Sequence, residues 1–274
     1  MVVLITGCRS GIGLAAATAI ARAGHAVYAG LRDVTTGDEL VAACGGLDVT
    51  PIQLDVTDAD QRDAAVGRIL AERGQLDALV NNAGVGIGGF MEQLDEDEFR
   101  QVFDVNVVGA WALTRAVLPA MRSRGEGIIV NISSMSGRMA LAGNGLYSSS
   151  KFALEGLSEA LRLEMKPFGV RVVLVEPGAY RTDIMTRNRR VCRAALVPDG
   201  PYAAMAERLD ALWRRTVERQ ARDPAEVGEK VLALLTHPRP RLRHPIGPDA
   251  WFRVFALRFL PRGVIEWVLG YALR

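Results

Sequence analysis

The chain has 274 residues, of which 49% are hydrophobic and 23% are charged, a balance typical of a folded globular protein. Its formal net charge of +2 lacks the strong basic excess of most nucleic-acid-binding domains, so we expect no nucleic-acid partner. The three cysteines and three histidines show no metal-ligand spacing, and no apolar run is long enough to cross a membrane. We therefore predict a cytoplasmic protein with free thiols and no metal site.

Short β-branched runs alternate with longer amphipathic stretches, the pattern of a parallel sheet with helices on both faces. The predicted strands are residues 2–6, 26–31, 49–54, 77–81, 127–133, 170–176 and 241–246. The predicted helices lie near residues 11–23, 58–73, 95–123, 145–167 and 223–236. The alternation predicts a single Rossmann-like, doubly wound α/β domain over residues 1–247, with about seven strands.

Two segments interrupt this rhythm. Residues 178–222 form a long polar excursion, and such excursions are commonly lids or binding segments, so we assign this one to the substrate. From 237 to 274 seven arginines and two acids are interleaved with aromatic residues. We favour a helical tail, residues 248–274, that packs on the same domain or forms a subunit contact. The alternative is an amphipathic segment that touches membrane surfaces.

A glycine-rich loop follows the first predicted strand and opens the first predicted helix. Gly7, Gly11 and Gly13 have no side chain, so the backbone amides of this loop are free to approach a pyrophosphate. The field at the N-terminus of the following helix also favours an anion. The position of the glycines predicts a dinucleotide-binding loop.

A second motif joins a tyrosine, a lysine and a serine. Tyr147 precedes Lys151 by four residues, which places both on one helical face, and Ser134 lies thirteen positions before the tyrosine. A tyrosine hydroxyl is suited to donate a proton to a carbonyl oxygen, but its ordinary pKa of about 10 is high for neutral pH. We expect the lysine ammonium to lower that pKa by stabilising the phenolate. The two motifs together predict hydride transfer between a nicotinamide and a carbonyl.

These motifs resemble the short-chain dehydrogenases/reductases over about residues 2–185. The supporting strings are TGCRSGIG (6–13), LDV (54–56), NNAG (81–84), NVVG (106–109), SSMSG (133–137), YSSSK (147–151) and PGAYRT (177–182). The segments VYAGLRD (27–33) and SKFALEGLSEAL (150–161) are similar to the branch that holds 17β-hydroxysteroid and retinol dehydrogenases. The resemblance also implies a homodimer or homotetramer that pairs through the helices predicted at 95–123 and 145–167.

The resemblance implies roles for particular residues. The implied catalytic residues are Asn106, Ser134, Tyr147 and Lys151. Ser134 would orient the substrate oxygen, although the adjacent Ser133 competes for this role. Asn106 would hold a water that passes protons to Lys151, or it would serve only as a hydrogen-bonding group at a helix kink. The implied cofactor-binding residues are Gly7, Arg9, Ser10, Gly11, Ile12, Gly13, Arg32, Asp55, Val56, Asn82, Ala83, Gly84, Tyr147, Lys151, Pro177, Gly178 and Thr182.

The end of the second predicted strand bears on the form of the cofactor. In the family that the chain resembles, an acid at this position binds the adenosine ribose and selects NAD, but here Leu31 is followed by Arg32. Arg32 can pair bidentately with a 2′-phosphate, and Arg9 would add a second positive charge. We therefore predict NADP(H) in preference to NAD(H). The neighbouring Asp33 would favour NAD if it faced the ribose.

The family resemblance fades in residues 138–146 and 178–222. Apolar residues in these segments are candidates for the substrate pocket, unless helical packing buries them in the core. They are Met139, Leu141, Leu146, Met185, Met205, Leu209, Leu212 and Trp213. Such a pocket suits a steroid, retinoid or fatty ketone or aldehyde and its alcohol. Two alternatives stay open: a 3-oxoacyl-thioester reductase whose carrier would meet a basic patch at 187–193, and a non-catalytic NADP(H)-binding regulator.

Overall fold

A parallel sheet forms the centre of the protein, whose computed structural model describes residues 1–183, 189–196 and 200–271. The strands in chain order are β1 (Val2–Thr6), β2 (Ala26–Leu31), β3 (Val49–Gln53), β4 (Ala78–Asn81), β5 (Ile87–Gly88), β6 (Gly127–Ile132), β7 (Val170–Pro177), β8 (Arg190–Val191) and β9 (Arg243–Ile246). Seven of them form one sheet in the order β3-β2-β1-β4-β6-β7-β9, and β5 pairs with β8 separately. The predicted doubly wound α/β fold is confirmed.

The strand order reverses between β1 and β4, which places a crevice outside the carboxyl ends of these two strands. In open α/β sheets ligands bind in that crevice. Every residue of β1, β4 and β6 is buried, because helices cover both faces of the sheet. This burial explains why the sequences of these strands show no polar alternation.

Helices cover the two faces of the sheet. They are α1 (Gly11–Arg22), α2 (Asp38–Ala43), α3 (Ala59–Arg73), α4 (Glu96–Phe103), α5 (Ala110–Arg124), α6 (Gly145–Met165), α7 (Ala203–Gln220), α8 (Ala225–Thr236), α9 (Pro248–Phe259) and α10 (Arg262–Tyr271). One core cluster joins α1 and α8 to the sheet through Ile20, Val227 and Val231. The other joins α3 and α5 to the opposite face through Ile69 and Leu113.

Local sequence signals set several helix boundaries. Asp58 accepts a hydrogen bond from the amide of Gln61 at the start of α3, and a left-handed Gly74 with φ +72° ends that helix. A π-helical segment, Asp104–Gly109, joins α4 to α5, so the chain is helical without a break from 96 to 124. By length and composition this continuous helix is able to cross a membrane, but half of its apolar window is buried inside the protein.

The excursion after β7 contains a helix that the sequence did not predict. In α7 many arginines and glutamates surround a sparse apolar row, including Met205, Leu209 and Leu212, so the segment reads as polar. The ends of the excursion meet at a parallel bridge between Tyr180 and Arg222, where the Arg222 amide donates to the Ala179 carbonyl at 3.0 Å. Met185 and the rest of 184–188, part of the predicted substrate segment, lie outside the described residues.

Candidate active site

The loop between β1 and α1 is folded tightly against the end of β4. Gly7 has φ +71°, and its amide donates to the carbonyl of Gly30 at 3.0 Å. A β-carbon on Gly13 would lie 2.2 Å from the Gly7 carbonyl oxygen and 2.5 Å from Asn82 Nδ2, so no side chain fits there. The loop therefore leads directly into the N-terminus of α1 at Gly11, where free backbone amides attract an anion.

Thr6 and Asn82 hold the ends of β1 and β4 together. Thr6 Oγ1 accepts from the amides of Asn82 and Ala83 at 3.0 and 2.9 Å. Asn82 Nδ2 in turn donates to the carbonyls of Thr6 and Gly7 at 2.8 and 3.1 Å. The predicted residues Asn82 and Ala83 thus lie beside the glycine loop, at the point where the strand order reverses.

Open space above Gly84 connects this cradle to the predicted catalytic residues. Gly84 is exposed, and a β-carbon on it would lie 3.4 Å from Asn106 Oδ1 and 3.7 Å from Lys151 Nζ. The glycine loop, the amide-rich start of α1 and this space suit the pyrophosphate and the flat ring of a nicotinamide cofactor. The residues present therefore fit the predicted cofactor.

Two arginines and one acid meet at the end of β2. Leu31 is buried and points away from solvent, whereas Arg9, Arg32 and Asp33 are exposed. Asp33 Oδ1 accepts from the amide and hydroxyl of Thr35 at 3.0 and 2.6 Å. These hydrogen bonds, followed by the charges of Arg9 and Arg32, hold the pKa of Asp33 below its usual range. The Asp33 carboxylate thus has partners of its own at this corner.

Three further residues predicted to bind the cofactor, Asp55, Val56 and Thr182, lie on two different loops. Asp55 Oδ1 accepts from the amide and hydroxyl of Thr57 at 2.9 and 2.7 Å, and Val56 beside it is buried. Thr182 packs against Gly11, where a β-carbon would lie 3.3 Å from Thr182 Cβ. The segment after β7 thus reaches the glycine loop.

The turn after β7 also touches α9. Pro177 ends the strand, and the Gly178 amide donates to the Ile246 carbonyl at 3.0 Å. Asp249 Oδ2, which the sequence did not single out, accepts from the Ala179 amide at 2.9 Å. Near the glycine loop, Ser10 Oγ donates to Asp183 Oδ2 at 2.6 Å, and Ile12 is partly buried in the first turn of α1.

The end of β6 and the face of α6 bring the predicted serine, tyrosine and lysine together. Lys151 is buried, and its Nζ donates to the Ile132 carbonyl at 2.9 Å while lying 5.6 Å from the centre of the Tyr147 ring. Ser134 Oγ accepts from the Ser136 amide at 3.1 Å and forms a hydrogen bond with the Tyr147 hydroxyl. The serine hydroxyl and the phenol thus form a hydrogen-bonded pair in the crevice.

The electrostatics of this pair differ from our expectation. Burial raises the pKa of Tyr147 to about 12, and the hydrogen bond from Ser134 offsets only part of that rise. Burial also lowers the pKa of Lys151 to about 8, against the opposing effect of the Glu155 charge. The net direction is opposite to the predicted one because loss of solvation dominates. In this structure the ammonium lies over the tyrosine ring and donates to the Ile132 carbonyl.

Asn106 ties three segments together from within the π-helical turn. Its Oδ1 accepts from the Val85 amide at 2.8 Å, and its Nδ2 donates to the Val85 carbonyl and to Ser150 Oγ, both at 2.9 Å. Both amide protons are therefore used, as the hydrogen-bonding alternative predicts. Oδ1 still borders the space above Gly84, where a second lone pair remains available.

A buried acidic cluster next to the lysine was missed by the sequence analysis. Glu155 lies one helical turn beyond Lys151, and its Oε2 accepts from Arg243 Nε at 2.8 Å. Glu176 of β7 accepts from Arg138 at 3.0 Å and lies 3.4 Å from the same Arg243 Nε. Burial, with the nearby Glu176 charge, raises the pKa of Glu155 to about 7. The repeat of four from tyrosine to lysine to glutamate was the available signal.

The predicted pocket residues divide between core and crevice. Leu146 is fully buried in a small cluster with Ile87 and Cys192, so it belongs to the core. Leu209 of α7 reaches the turn before α6, since a β-carbon on Gly143 would lie 2.9 Å from its Cδ1. The others within the described part of the chain are partly buried or exposed, namely Met139, Leu141, Met205, Leu212 and Trp213.

Known proteins resemble this chain over nearly its whole length. Residues 1–192 match the family model described as short chain dehydrogenase. The 3-ketodihydrosphingosine reductase of Bacteroides thetaiotaomicron is 35% identical over 100% of this chain and 98% of its own length. Human 17-beta-hydroxysteroid dehydrogenase type 1 is 38% identical over 89% of this chain and 76% of its own length. A short-chain dehydrogenase from Streptomyces avermitilis superposes with a TM-score of 0.82 at 38% identity, covering 97% and 95% of the two chains.

Solved neighbours hold either form of the nicotinamide cofactor. A metagenomic short-chain oxidoreductase in complex with NADP has a TM-score of 0.70 at 28% identity, covering 90% of this chain and 96% of that one. A short chain dehydrogenase/reductase from Burkholderia phymatum in complex with NAD has a TM-score of 0.80 at 28% identity, covering 97% and 94%. These neighbours support a nicotinamide cofactor without distinguishing its two forms.

Proposed function

Because the chain belongs to the short chain dehydrogenase family of oxidoreductases, we propose that it interconverts a lipophilic ketone or aldehyde and its alcohol with NADP(H). One observation carries this proposal: Ser134, Tyr147 and Lys151 converge beside the space above Gly84. The bound nicotinamide supplies the hydride in reduction and accepts it in oxidation. The chain's own residues handle the substrate oxygen and its proton.

The proposed roles follow from the geometry of each group. Ser134 donates to the substrate oxygen, since its own oxygen is already engaged by a backbone amide. Tyr147 gives its proton to that oxygen as the carbon receives the hydride. Lys151 stabilises the phenolate that remains, and a water held at Asn106 Oδ1 returns the proton. The remaining predicted cofactor residues, from the glycine loop to Thr182, line the dinucleotide.

Preference for NADP(H) is supported by the charges at the end of β2. Arg9 and Arg32 provide two cations where a 2′-phosphate would lie, and both act on the same neighbour, Asp33. The carboxylate of Asp33, which would otherwise favour a ribose hydroxyl, already accepts two hydrogen bonds from Thr35. A 2′-phosphate bound at the end of β2 would neutralise the positive charges of Arg9 and Arg32.

The substrate class is supported by the segment beside the tyrosine. The apolar side of α7, with Leu209 against Gly143, adds hydrophobic surface to the turn that precedes Tyr147 in the sequence. Two of the relatives are named for lipophilic substrates, a sphingoid ketone and a steroid. The basic patch that would receive an acyl carrier is less suitable, because Arg189 and Arg193 pair with Asp210 and Asp95.

The assembly and domain arrangement are also proposals. The continuous helix over residues 96–124 and helix α6 expose large apolar side chains, namely Val108, Trp111, Phe152, Leu157 and Leu163. Their exposure supports pairing of subunits through these two helices as a homodimer or homotetramer. We assign residues 1–247 to the catalytic domain, with residues 248–274 as a helical tail on it.

The deciding experiment is oxidation of NADPH and NADH by the purified protein against ketosteroids, retinal, acetoacetyl thioesters and small quinones. We expect turnover that Tyr147→Phe abolishes, whereas the control Tyr28→Phe, whose hydroxyl bonds Glu72 of α3, keeps it. Full activity in Tyr147→Phe would remove the tyrosine from the reaction. Cofactor binding with no turnover on any carbonyl or alcohol would support the regulator instead.

A further inference from the structure

The last helix turns its apolar side to solvent. In α10 the residues Val264, Trp267, Val268 and Tyr271 follow the spacing i, i+3, i+4, i+7, which places them on one stripe. Their exposed fractions are 44%, 71%, 52% and 70%, and α10 has no buried residue. Surface helices of globular proteins face the core with such a stripe, so this one lacks its cover.

Helix α9 continues the same arrangement. Ala250 and Ala256 are its buried residues and pack on the body of the protein. The opposite side carries large aromatic side chains that are 57–68% exposed, namely Trp251, Phe252, Phe255 and Phe259. With Leu260 and the stripe of α10 they form what we call the C-terminal apolar surface. From their exposed fractions and typical side-chain areas, these residues together expose on the order of 1,000 Å², more than the few hundred Å² that soluble monomers usually expose in one patch.

The charges around this surface favour a negatively charged cover. Arg253, Arg258 and Arg262 lie among the aromatic residues, and none of them forms an ion pair with a described residue. The acids of the two helices are Asp249, which is engaged by the Ala179 amide, and Glu266. A two-fold contact with a second copy would bring arginines against arginines. Anionic headgroups would instead neutralise them, and Trp and Tyr are enriched at bilayer interfaces.

We propose that the C-terminal apolar surface binds the interface of an anionic lipid bilayer, with α9 and α10 lying in the membrane plane. Helix α9 starts at the carboxyl end of β9, the sheet edge at which the glycine loop and Ser134 also lie. On the proposed function, which this consequence assumes, a lipophilic carbonyl would pass from the bilayer to the crevice without crossing water.

Vesicle flotation with the full chain tests this proposal. We expect binding to vesicles of 30% phosphatidylglycerol in phosphatidylcholine, and at least tenfold weaker binding to pure phosphatidylcholine. Phe255→Ser with Trp267→Ser removes the binding, and Arg258→Glu with Arg262→Glu removes the preference for phosphatidylglycerol. The control Phe168→Ser, an aromatic residue 42% exposed just after α6, keeps both.

Two results would overturn the proposal. One is absence of binding to the anionic vesicles. The other is self-association that the Phe255→Ser, Trp267→Ser variant abolishes while vesicles leave the protein in solution, since a second copy would then be the cover. The assay needs no substrate, so loss of the proposed carbonyl activity would leave its result unaffected.

An independent observation concerns the acidic cluster beside Lys151. Three consecutive residues at the end of β6 face one side of α6. The Ile132 carbonyl accepts a hydrogen bond from Lys151. Ser133 lies beside Glu155, and Ser134 forms a hydrogen bond with Tyr147. Among buried side-chain atoms of the described residues, Ser133 Oγ, Glu155 Oε1 and Glu176 Oε2 lack a hydrogen-bond partner of good geometry. The cluster therefore leaves one carboxylate oxygen of each glutamate without a hydrogen bond, and Glu155 lies one helical turn from the buried ammonium.

The charges around Glu155 come from every neighbouring element. Glu176 approaches from β7, Arg243 from β9 and Arg138 from the turn after β6, while Lys151 and Glu159 lie one turn away on α6 itself. Arg243 and Arg138 fix the two glutamates, and Lys151 donates to a neutral carbonyl. From this placement we infer that Glu155 is a positioning residue that keeps the Lys151 ammonium charged, which matters to catalysis if the proposed function holds.

Lysine NMR tests this role directly, because the chain has only three lysines, Lys151, Lys166 and Lys230. Selective labelling with carbon-13 and nitrogen-15 gives three side-chain signals, which Lys166→Arg and Lys230→Arg assign. We expect Glu155→Gln to lower the measured pKa of Lys151 by about one unit or more, and Glu155→Asp to restore it. Glu159→Gln, which removes an exposed partner of the same Arg243, is the matched control.

Enzyme kinetics provide a second test. The pH above which kcat/KM falls should decrease in Glu155→Gln and stay unchanged in Glu159→Gln. An unchanged pKa of Lys151 in folded Glu155→Gln would overturn the inference. If that variant does not fold, Glu155→Ala takes its place. An unchanged pKa of Lys151 there, or a shift of equal size in Glu159→Gln, would contradict the inference. The NMR readout is independent of any turnover.

Discussion

Tyr147 and Lys151 lose solvation together, and each is driven toward its neutral form. For the tyrosine this is the phenol, the form that donates a proton, so the resting site is prepared for carbonyl reduction. For the lysine the consequence is a pKa of about 8, which leaves the ammonium the major species at neutral pH but not far above it. The two shifts assign opposite pH ranges to the two reaction directions.

We expect the reductive kcat/KM to be level near neutral pH and to fall above about pH 8, where the lowered pKa removes the Lys151 proton. The oxidative rate should rise with pH over the same range, because alcohol oxidation needs the tyrosine as its phenolate. Initial rates in both directions from pH 6 to 10 check this. A reductive rate that climbs from pH 7 to 9 would contradict it.

The proposed preference for NADP(H) is tested most directly at Arg32. Arg32→Asp should weaken use of NADPH by roughly 10-fold to 100-fold and improve use of NADH, because loss of one bidentate charged contact costs about 1.5–3 kcal/mol. The control is Arg22→Asp, an exposed arginine at the end of α1. The measurement is kcat/KM for each cofactor, and an unchanged ratio would show that Arg32 is only a solvated surface residue.

At the scale of elements, the strands were the most predictable part of the chain. The seven strands of the large sheet lie within two residues of the predicted ones. The central strands β1, β4 and β6 were recognisable because they are fully buried and largely apolar. Helix α7 was not predicted, since its arginines and glutamates conceal a sparse apolar row. Glu155 was not singled out, because its burial depends on Arg243, which lies 88 residues further along the chain. The four-residue repeat places Glu155 on the helical face of Tyr147 and Lys151, but it does not reveal this distant partner.

The tight packing of Gly13 in α1 against the glycine loop and Asn82 makes a prediction for its substitution. Gly13→Ala should destabilise the fold by about 1–3 kcal/mol and weaken NADPH binding, because the new methyl group meets the Gly7 carbonyl. Gly67→Ala is the control, since this exposed residue in the middle of α3 has nothing within 4 Å of its β-carbon position. It should stabilise by about 0.5–1 kcal/mol. Thermal melts with and without NADPH distinguish the two.

For the whole molecule, assembly through the long helices predicts the behaviour of the purified protein. We expect light scattering after size exclusion to give a dimer or tetramer, and Phe152→Arg on α6 to yield monomers, because a charge would be buried in the contact. Val41→Arg on α2, where the side chain is 60% exposed, should leave the assembly intact. A wild-type monomer at micromolar concentration would rule out pairing through these helices.

The excursion after β7 leaves the sheet and returns to it at a single point. The Arg181 amide donates to the Arg222 carbonyl at 2.8 Å, and the Arg222 amide donates to the Ala179 carbonyl at 3.0 Å. Because its two ends lie side by side, the segment between them can lengthen, shorten or change sequence at little cost to the sheet. A change of substrate preference could therefore be confined to this one segment, leaving the sheet and the residues of the proposed hydride transfer in place.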